Sequence, residues 1–164
     1  GIDSLKIEGR MKTALYVATV ARTYRKAIDD YFESEEKYRA NMDYYKSEIA
    51  KCTYRQFTTG FYFGKTDSGS QIYDSNTYVK NYTYIGTVRQ TAENGFVFFE
   101  QKNKFTVGEL VEAMGFDGEN IECRVEAIYN EDGESMESAP HPKQQLRVKL
   151  DKPLDAGMII RRKE

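Results

Sequence analysis

The sequence predicts an α+β fragment: a strand and helices left from an α/β-barrel domain, followed by a small antiparallel β-barrel. Three observations predict it. The first twelve residues alternate like a strand and run straight into a helical pattern. Apolar residues then recur at three- and four-residue steps to about residue 52. From about residue 53 the period falls to two, and short alternating runs are separated by turn residues. The predicted division is therefore 1–52 for the strand, helices and a linker helix, and 53–164 for the β-barrel.

In Gly1-IDSLKIEGRMK, Leu5 and Ile7 point one way, and Lys6, Glu8 and Arg10 the other. Three charges on one face make a poor free edge. The pattern therefore predicts the last strand of a larger parallel domain, with this chain as its C-terminal part; a short solvated arm is the alternative. In an α/β barrel, charges at the carboxyl end of a strand sit where chemistry happens. Lys6, Glu8 and Arg10 are thus the candidate catalytic set of the parent protein. The two cations would bind an anionic substrate, and Glu8 would orient them or exchange a proton. A charge network that holds the barrel wall together is the competing reading.

Next, Val17, Val20, Ala21, Tyr24, Ile28 and Tyr31 form one helical stripe, with Arg22, Arg25, Lys26, Asp29 and Asp30 opposite. Glu33-Ser-Glu-Glu36 ends that helix or begins a connector. A shorter helix is predicted from Asp43, an N-cap, with Tyr45, Ile49 and Cys52 as its stripe. These stripes need a partner surface, and self-association is one way to cover them.

Asn94-Gly95 between the runs 84–91 and 96–100 signals a hairpin. Ile121, Cys123, Val125, Ala127 and Tyr129 alternate over a long strand, as do Leu146, Val148 and Leu150 over another. Val107-Gly108-Glu109, Asp117-Gly118, Asp132-Gly133 and Lys152-Pro153 supply turns. Residues 64–76 read as a long surface loop. Five to seven strands with no intervening helix predict a closed or sandwich-like barrel. Ile85-Gly86-Thr-Val88 and Phe105-Thr-Val-Gly-Glu-Leu-Val-Glu112 resemble the second-domain barrels of translation factors, where a glycine-kinked strand precedes a similar turn and strand.

Charge excludes a simple polyanion grip. Residues 1–57 hold 11 Lys/Arg against 9 Asp/Glu, but residues 58–164 hold 13 against 17, so any RNA contact needs a local patch. No stretch approaches the roughly 18 apolar residues of a membrane-spanning helix. Cys52 and Cys123 lack metal-ligand spacing and read as reduced, partly buried residues of a cytoplasmic protein.

Thr53-Tyr-Arg-Gln-Phe-Thr-Thr-Gly-Phe-Tyr-Phe-Gly64 packs five aromatics around Arg55. These rings can stack bases, with Arg55 on phosphate, or seal the barrel against the helices. His141, between Pro140 and Pro142, lacks the partners of a metal site, so no metal ligand is predicted. The candidate substrate-binding residues are Arg55, Lys102, Lys104, His141, Lys143 and Arg147. They form an RNA patch if the aromatic segment, the Gln101-Lys-Asn-Lys104 turn and the Pro-His-Pro loop converge.

The opening motif, with Tyr16-Val17 and Tyr24-Arg25-Lys-Ala-Ile-Asp29, resembles the end of the catalytic domain of the U32, collagenase-like peptidase family. Thr58-Thr-Gly-Phe-Tyr-Phe-Gly64, Glu100-Gln-Lys-Asn-Lys-Phe105, Pro140-His-Pro142 with Gln145, and Asp151-Lys-Pro153 resemble that family's C-terminal region. One departure is Tyr54, where many relatives carry His. The resemblance implies a barrel-like catalytic domain upstream with an iron–sulfur cluster on cysteines outside this chain, and no cofactor within it. It also implies either of two activities: hydroxylation of wobble uridine in tRNA, dependent on prephenate, or peptide hydrolysis. No protease nucleophile, base or metal set stands in the sequence. The expected function is therefore an accessory β-barrel of a tRNA-hydroxylation protein, inactive by itself, with tRNA as partner. The alternative is the substrate-binding domain of a collagenase-like peptidase, with a peptide or protein partner.

Overall fold

A computed structural model of the chain describes residues 3–52, 58–68 and 81–164. Helix α1 (Ala14–Glu33) begins where the Thr13 hydroxyl accepts a hydrogen bond from the Tyr16 amide at 3.2 Å. It stops at Ser34, whose extended backbone turns the chain while its hydroxyl caps α2 (Glu35–Ala40) through the Lys37 amide. Glu33 and Ser34 thus end one helix and start the next. Helix α3 (Met42–Ile49) follows from Asn41, two residues earlier than the Asp43 cap predicted.

The buried face of α1 differs from the expected stripe. Val20 is buried, but Val17, Tyr24 and Tyr31 stay 42%, 41% and 54% exposed. Leu15, Thr19, Thr23 and Asp30 are the other buried residues, and Arg22 and Lys26 also face inward. A largely polar face is buried because its partners are polar. Asp30 accepts hydrogen bonds from the Tyr45 hydroxyl at 2.6 Å and the Asn41 amide at 3.0 Å. In α3, Tyr45 is buried as expected, and so is Glu48; Cys52, just beyond it, is buried too.

The opening segment also differs from its expected strand. Residues 3–9 pair with no strand among the described residues, and Leu5 and Ile7 are 51% and 37% exposed. A strand requires a ladder partner, and the strands of this chain satisfy one another in a closed barrel that offers no edge. Instead, the Glu8 carboxylate accepts from the Arg10 amide, and Lys12 N–H bonds the Gly9 carbonyl, forming a turn into α1.

The barrel comprises β1 (Tyr82–Thr91), β2 (Phe96–Gln101), β4 (Leu110–Met114), β5 (Asn120–Tyr129), β8 (Gln145–Leu150) and β9 (Ile159–Lys163). The ladder runs β4-β9-β1-β2-β8-β5, and β5 pairs back onto β4, closing six antiparallel strands. The short β6 (Ser135–Met136) extends β5, while β3 (Phe105–Thr106) pairs with β7 (Ser138–Ala139) as a separate ribbon. Val88, Phe99, Val111, Val125, Val148 and Ile160 are among the side chains that fill the barrel.

The β1–β2 hairpin turns at Asn94 and Gly95, both with positive φ (60° and 78°), which matches the twist of the flanking strands. Gly86 is the predicted kink. A Cβ there would collide with the Glu100 carbonyl and the Phe99 ring, and the β1–β9 register shifts beside it. In β5 the expected alternation breaks. A bulge between Val125 and Ala127 turns Ile128 inward and leaves Ala127 and Tyr129 half-buried. Leu146, Val148 and Leu150 do alternate inward along β8.

Phe61, Tyr62 and Phe63 are 77%, 73% and 82% exposed, so they do not seal the barrel against the helices. Arg55, the rest of that hinge at 53–57, and positions 69–76 of the expected loop lie outside the described residues.

Candidate nucleic-acid interface

The outer surface of the barrel divides into a covered side and an open side. The helices cover β4 and β9 through a charge network that the sequence did not signal. Arg161, on β9, is wholly buried. Its guanidinium donates to Glu112 at 2.6 Å, to Glu48 at 2.7 Å and to Asn120 at 3.4 Å. Arg22 of α1 reaches Glu48 and Asn120, each at 2.7 Å, and the Gly115 carbonyl at 3.1 Å. Lys51 bonds Glu48 at 2.7 Å and Glu112 at 3.0 Å, and the Tyr82 ring lies 5.3 Å from both the Lys51 and Arg161 cations. Burial pushes the Glu48 carboxyl up, but the field of Arg161 and the bonds from Lys51 and Arg161 more than reverse this, holding its pKa at about 2. The carboxylates of Glu48 and Glu112 are thus locked by cations, and the seam is a structural clamp.

On the opposite side no helix among the described residues covers β2 and β8. In ladder order they are the strands farthest from β4 and β9. Outward positions on β2 are Phe96, Phe98 and Glu100, and on β8 they are Gln145, Arg147 and Lys149. The register sets Arg147 opposite Phe98, and opposite Tyr129 on β5. Its guanidinium sits 4.2 Å from the Phe96 ring centroid, and Phe96 in turn meets Tyr129 at 5.9 Å.

The structure brings two of the three predicted segments together. Gln101, fully buried, donates through its side-chain amide to the carbonyls of Ala139 and Asn103. Its backbone bonds Gln144 and Lys143 at 3.0 and 2.9 Å. This fastens the Pro-His-Pro loop, carrying exposed His141 and Lys143, to the turn carrying Lys102, at the end of the bare face. Lys102 pairs with Glu100, which also pairs with Arg89. Lys104 is exposed on the side of the turn nearer β9, its carbonyl held by Arg162 at 3.2 Å. Lys6, Glu8 and Arg10 are exposed at the start of the chain and belong to no cluster with these residues.

A second concavity of about 440 Å³ opens between α1 and the β4–β5 turn, beside Arg25, Lys26 and Phe116. Its cations are committed: Arg25 to Asp29, and Lys26 to Asp30 and Glu119. Among the described residues no cluster of three His, Cys, Asp or Glu side chains can hold a metal ion. The residues present do not fit an iron–sulfur cluster. Both cysteines are buried, with burial pushing the Cys52 thiol up and the Cys123 thiol up to about 12, far from the thiolate a cluster needs. No helix among the described residues is long and apolar enough to cross a membrane.

Comparison with known proteins adds the family. Residues 1–72 match the model of peptidase family U32, and residues 80–161 match that of the peptidase family U32 C-terminal domain. The chain is 37% identical over 163 residues to tRNA hydroxylation protein P1 of Bacillus subtilis, covering 99% of this chain and 38% of that protein. It is 33% identical over 141 residues to tRNA hydroxylation protein P of Haemophilus influenzae, covering 85% of this chain and 30% of the relative. The crystallised C-terminal domain of a Geobacillus thermoleovorans protein that carries the U32 peptidase name is 32% identical. That match covers 49% of this chain and 99% of the domain, with a TM-score of 0.45. The chain thus spans about a third of the length of these two relatives, 38% of one and 30% of the other.

Proposed function

The chain belongs to peptidase family U32, and from that premise we propose that its barrel is the RNA-binding accessory module of a tRNA-hydroxylation protein. One observation carries this reading. The barrel face left bare by the helices gathers Arg147 with Lys102 and Lys143 at its end, whereas no acid, base, nucleophile and metal set is assembled among the described residues. The names of the relatives that cover most of the chain support it. Hydroxylation itself, at wobble uridine with an iron–sulfur cluster as the cofactor, is assigned to the rest of the parent protein, with Lys6, Glu8 and Arg10 at the border of that domain. The barrel's part is to grip phosphates and fix the RNA. Titration of the full-length parent with tRNA over a range of salt concentrations tests it. Each of Lys102→Ala and Lys143→Ala should weaken binding and lower the log–log salt slope by about 0.7–0.9. Unchanged affinity and slope in both variants, or binding of collagen peptides in place of tRNA, would overturn it.

A further inference from the structure

We propose that the outward face of β2, β8 and β5 is a stacking platform for unpaired RNA bases, with Phe98 as the open ring and Arg147 as the cation that bridges ring and phosphate. This deepens the RNA-binding reading and rests on it.

Phe98 is the key observation. It occupies an outward position in the middle of β2 and remains 46% exposed, while its neighbours Val97 and Phe99 fill the core. An aromatic residue braces a sheet by packing against its cross-strand partners. Here the partners across the ladders are Gln90 on β1 and Arg147 on β8, and Arg147 instead lies over Phe96, leaving Phe98 about half exposed. Phe96 and Tyr129 back this arrangement from the flank. Three rings and a guanidinium thus share one sheet surface, as stacking of successive bases requires.

Charge selects the occupant. Arg89, Lys102, Arg147 and Lys149 project from or border this face, against the carboxylates of Glu100 and Glu126. Glu100 is bridged by two cations and Glu126 by Lys149. Among the described residues Arg147 has no carboxylate partner, so its charge is available to a phosphate. Glu131, Asp132 and Glu134 form the turn beyond Tyr129 and bound the platform on that side. Duplex RNA keeps its bases stacked inside and presents only its backbone to such a surface. An RNA loop offers both the bases and the phosphates.

The test uses the full-length parent and three probes: tRNA, a 15-nucleotide oligouridine and an RNA duplex of equal length. Phe98→Ala should weaken oligouridine binding about tenfold or more with an unchanged salt slope, and leave duplex binding unaltered. Phe98→Tyr should retain binding. Arg147→Ala should weaken binding and also lower the oligouridine salt slope by about 0.7. Because Phe98 and Arg147 lie outside the core, unchanged melting temperatures separate loss of contact from loss of fold. Oligouridine binding by Phe98→Ala at the wild-type level, or equal losses on duplex and single strand, would overturn the platform while the RNA reading stands. A wild-type parent that binds none of the three probes overturns both.

Discussion

Arg161→Met should unclamp the helices from the barrel, and the cost follows from the structure. Removing one member of a buried ion pair strands its partner and costs about 3–5 kcal/mol. Here Glu48, 1% exposed, would keep Arg22 and Lys51, which places the loss near the lower end. For Glu48 itself, Arg161 and Lys51 together outweigh burial and hold the pKa at about 2 against an ordinary 4.5. A depression of that size corresponds to about 3 kcal/mol of stability. The sign is fixed: a carboxylate with a depressed folded pKa stabilises fully above its unfolded value, and the benefit fades as pH falls. Urea denaturation of the chain followed between pH 7 and pH 2 should therefore lose about 3 kcal/mol, chiefly below pH 5, through this one group. Glu48→Gln should flatten that acid limb and lower stability at pH 7, and Arg161→Met should shrink it. A double-mutant cycle on the two should show strong coupling. If Glu48→Gln left both the pH 7 stability and the acid limb unchanged, the clamp would not contribute and the reasoning would fail.

Two further predictions probe the barrel. Ile128→Ala should cost about 2–5 kcal/mol in chemical denaturation and Tyr129→Ala much less, because the β5 bulge turns Ile128 inward; equal losses would place the bulge elsewhere. Cys123, with its thiol pushed up to about 12 by burial, should resist a thiol reagent at pH 8 until the chain is unfolded, and rapid labelling of the native state would contradict its burial.

The barrel was legible in the sequence because its signals are local. Alternation in 145–150, the Asn94-Gly95 turn and the Gly86 kink each act over a few residues, and each appears where expected. The β5 bulge was not legible, since Ala127 and Tyr129 continue the apolar pattern and only the register with β8 breaks it. The seam was hidden for a different reason. Hydrophobic periodicity ranks α1 by its apolar stripe, but Arg161 and Glu112 set the chemistry of the surface that α1 meets. Those two lie 139 and 90 positions after Arg22, beyond any local pattern. The site was legible in part. Motif likeness marked Lys102, His141 and Lys143 individually, yet their fastening through Gln101 is a tertiary fact, as is the pairing of Arg147 with Phe98.

Closure of the barrel explains why the helices dock on one side of it. A six-stranded cylinder satisfies its own backbone, so an attached element can dock only through side chains on its outer wall. The wall at β4 and β9 carries Glu112 and Arg161, flanked by Asn120 at the start of β5, with Glu48 and Arg22 supplied by the helices; opposed charges hold the two together. The wall at β2 and β8 carries rings, paired charges and Arg147, and offers no buried counterpart to the Arg22 and Glu48 side chains through which the helices dock. Reversing that difference provides a final test. Arg147→Glu should abolish RNA binding by the parent through like-charge repulsion while leaving the β4–β9 clamp and the melting temperature intact. Loss of RNA binding together with loss of stability would mean that the two walls are not independent, and the division of the barrel into a docking side and a binding side would fail.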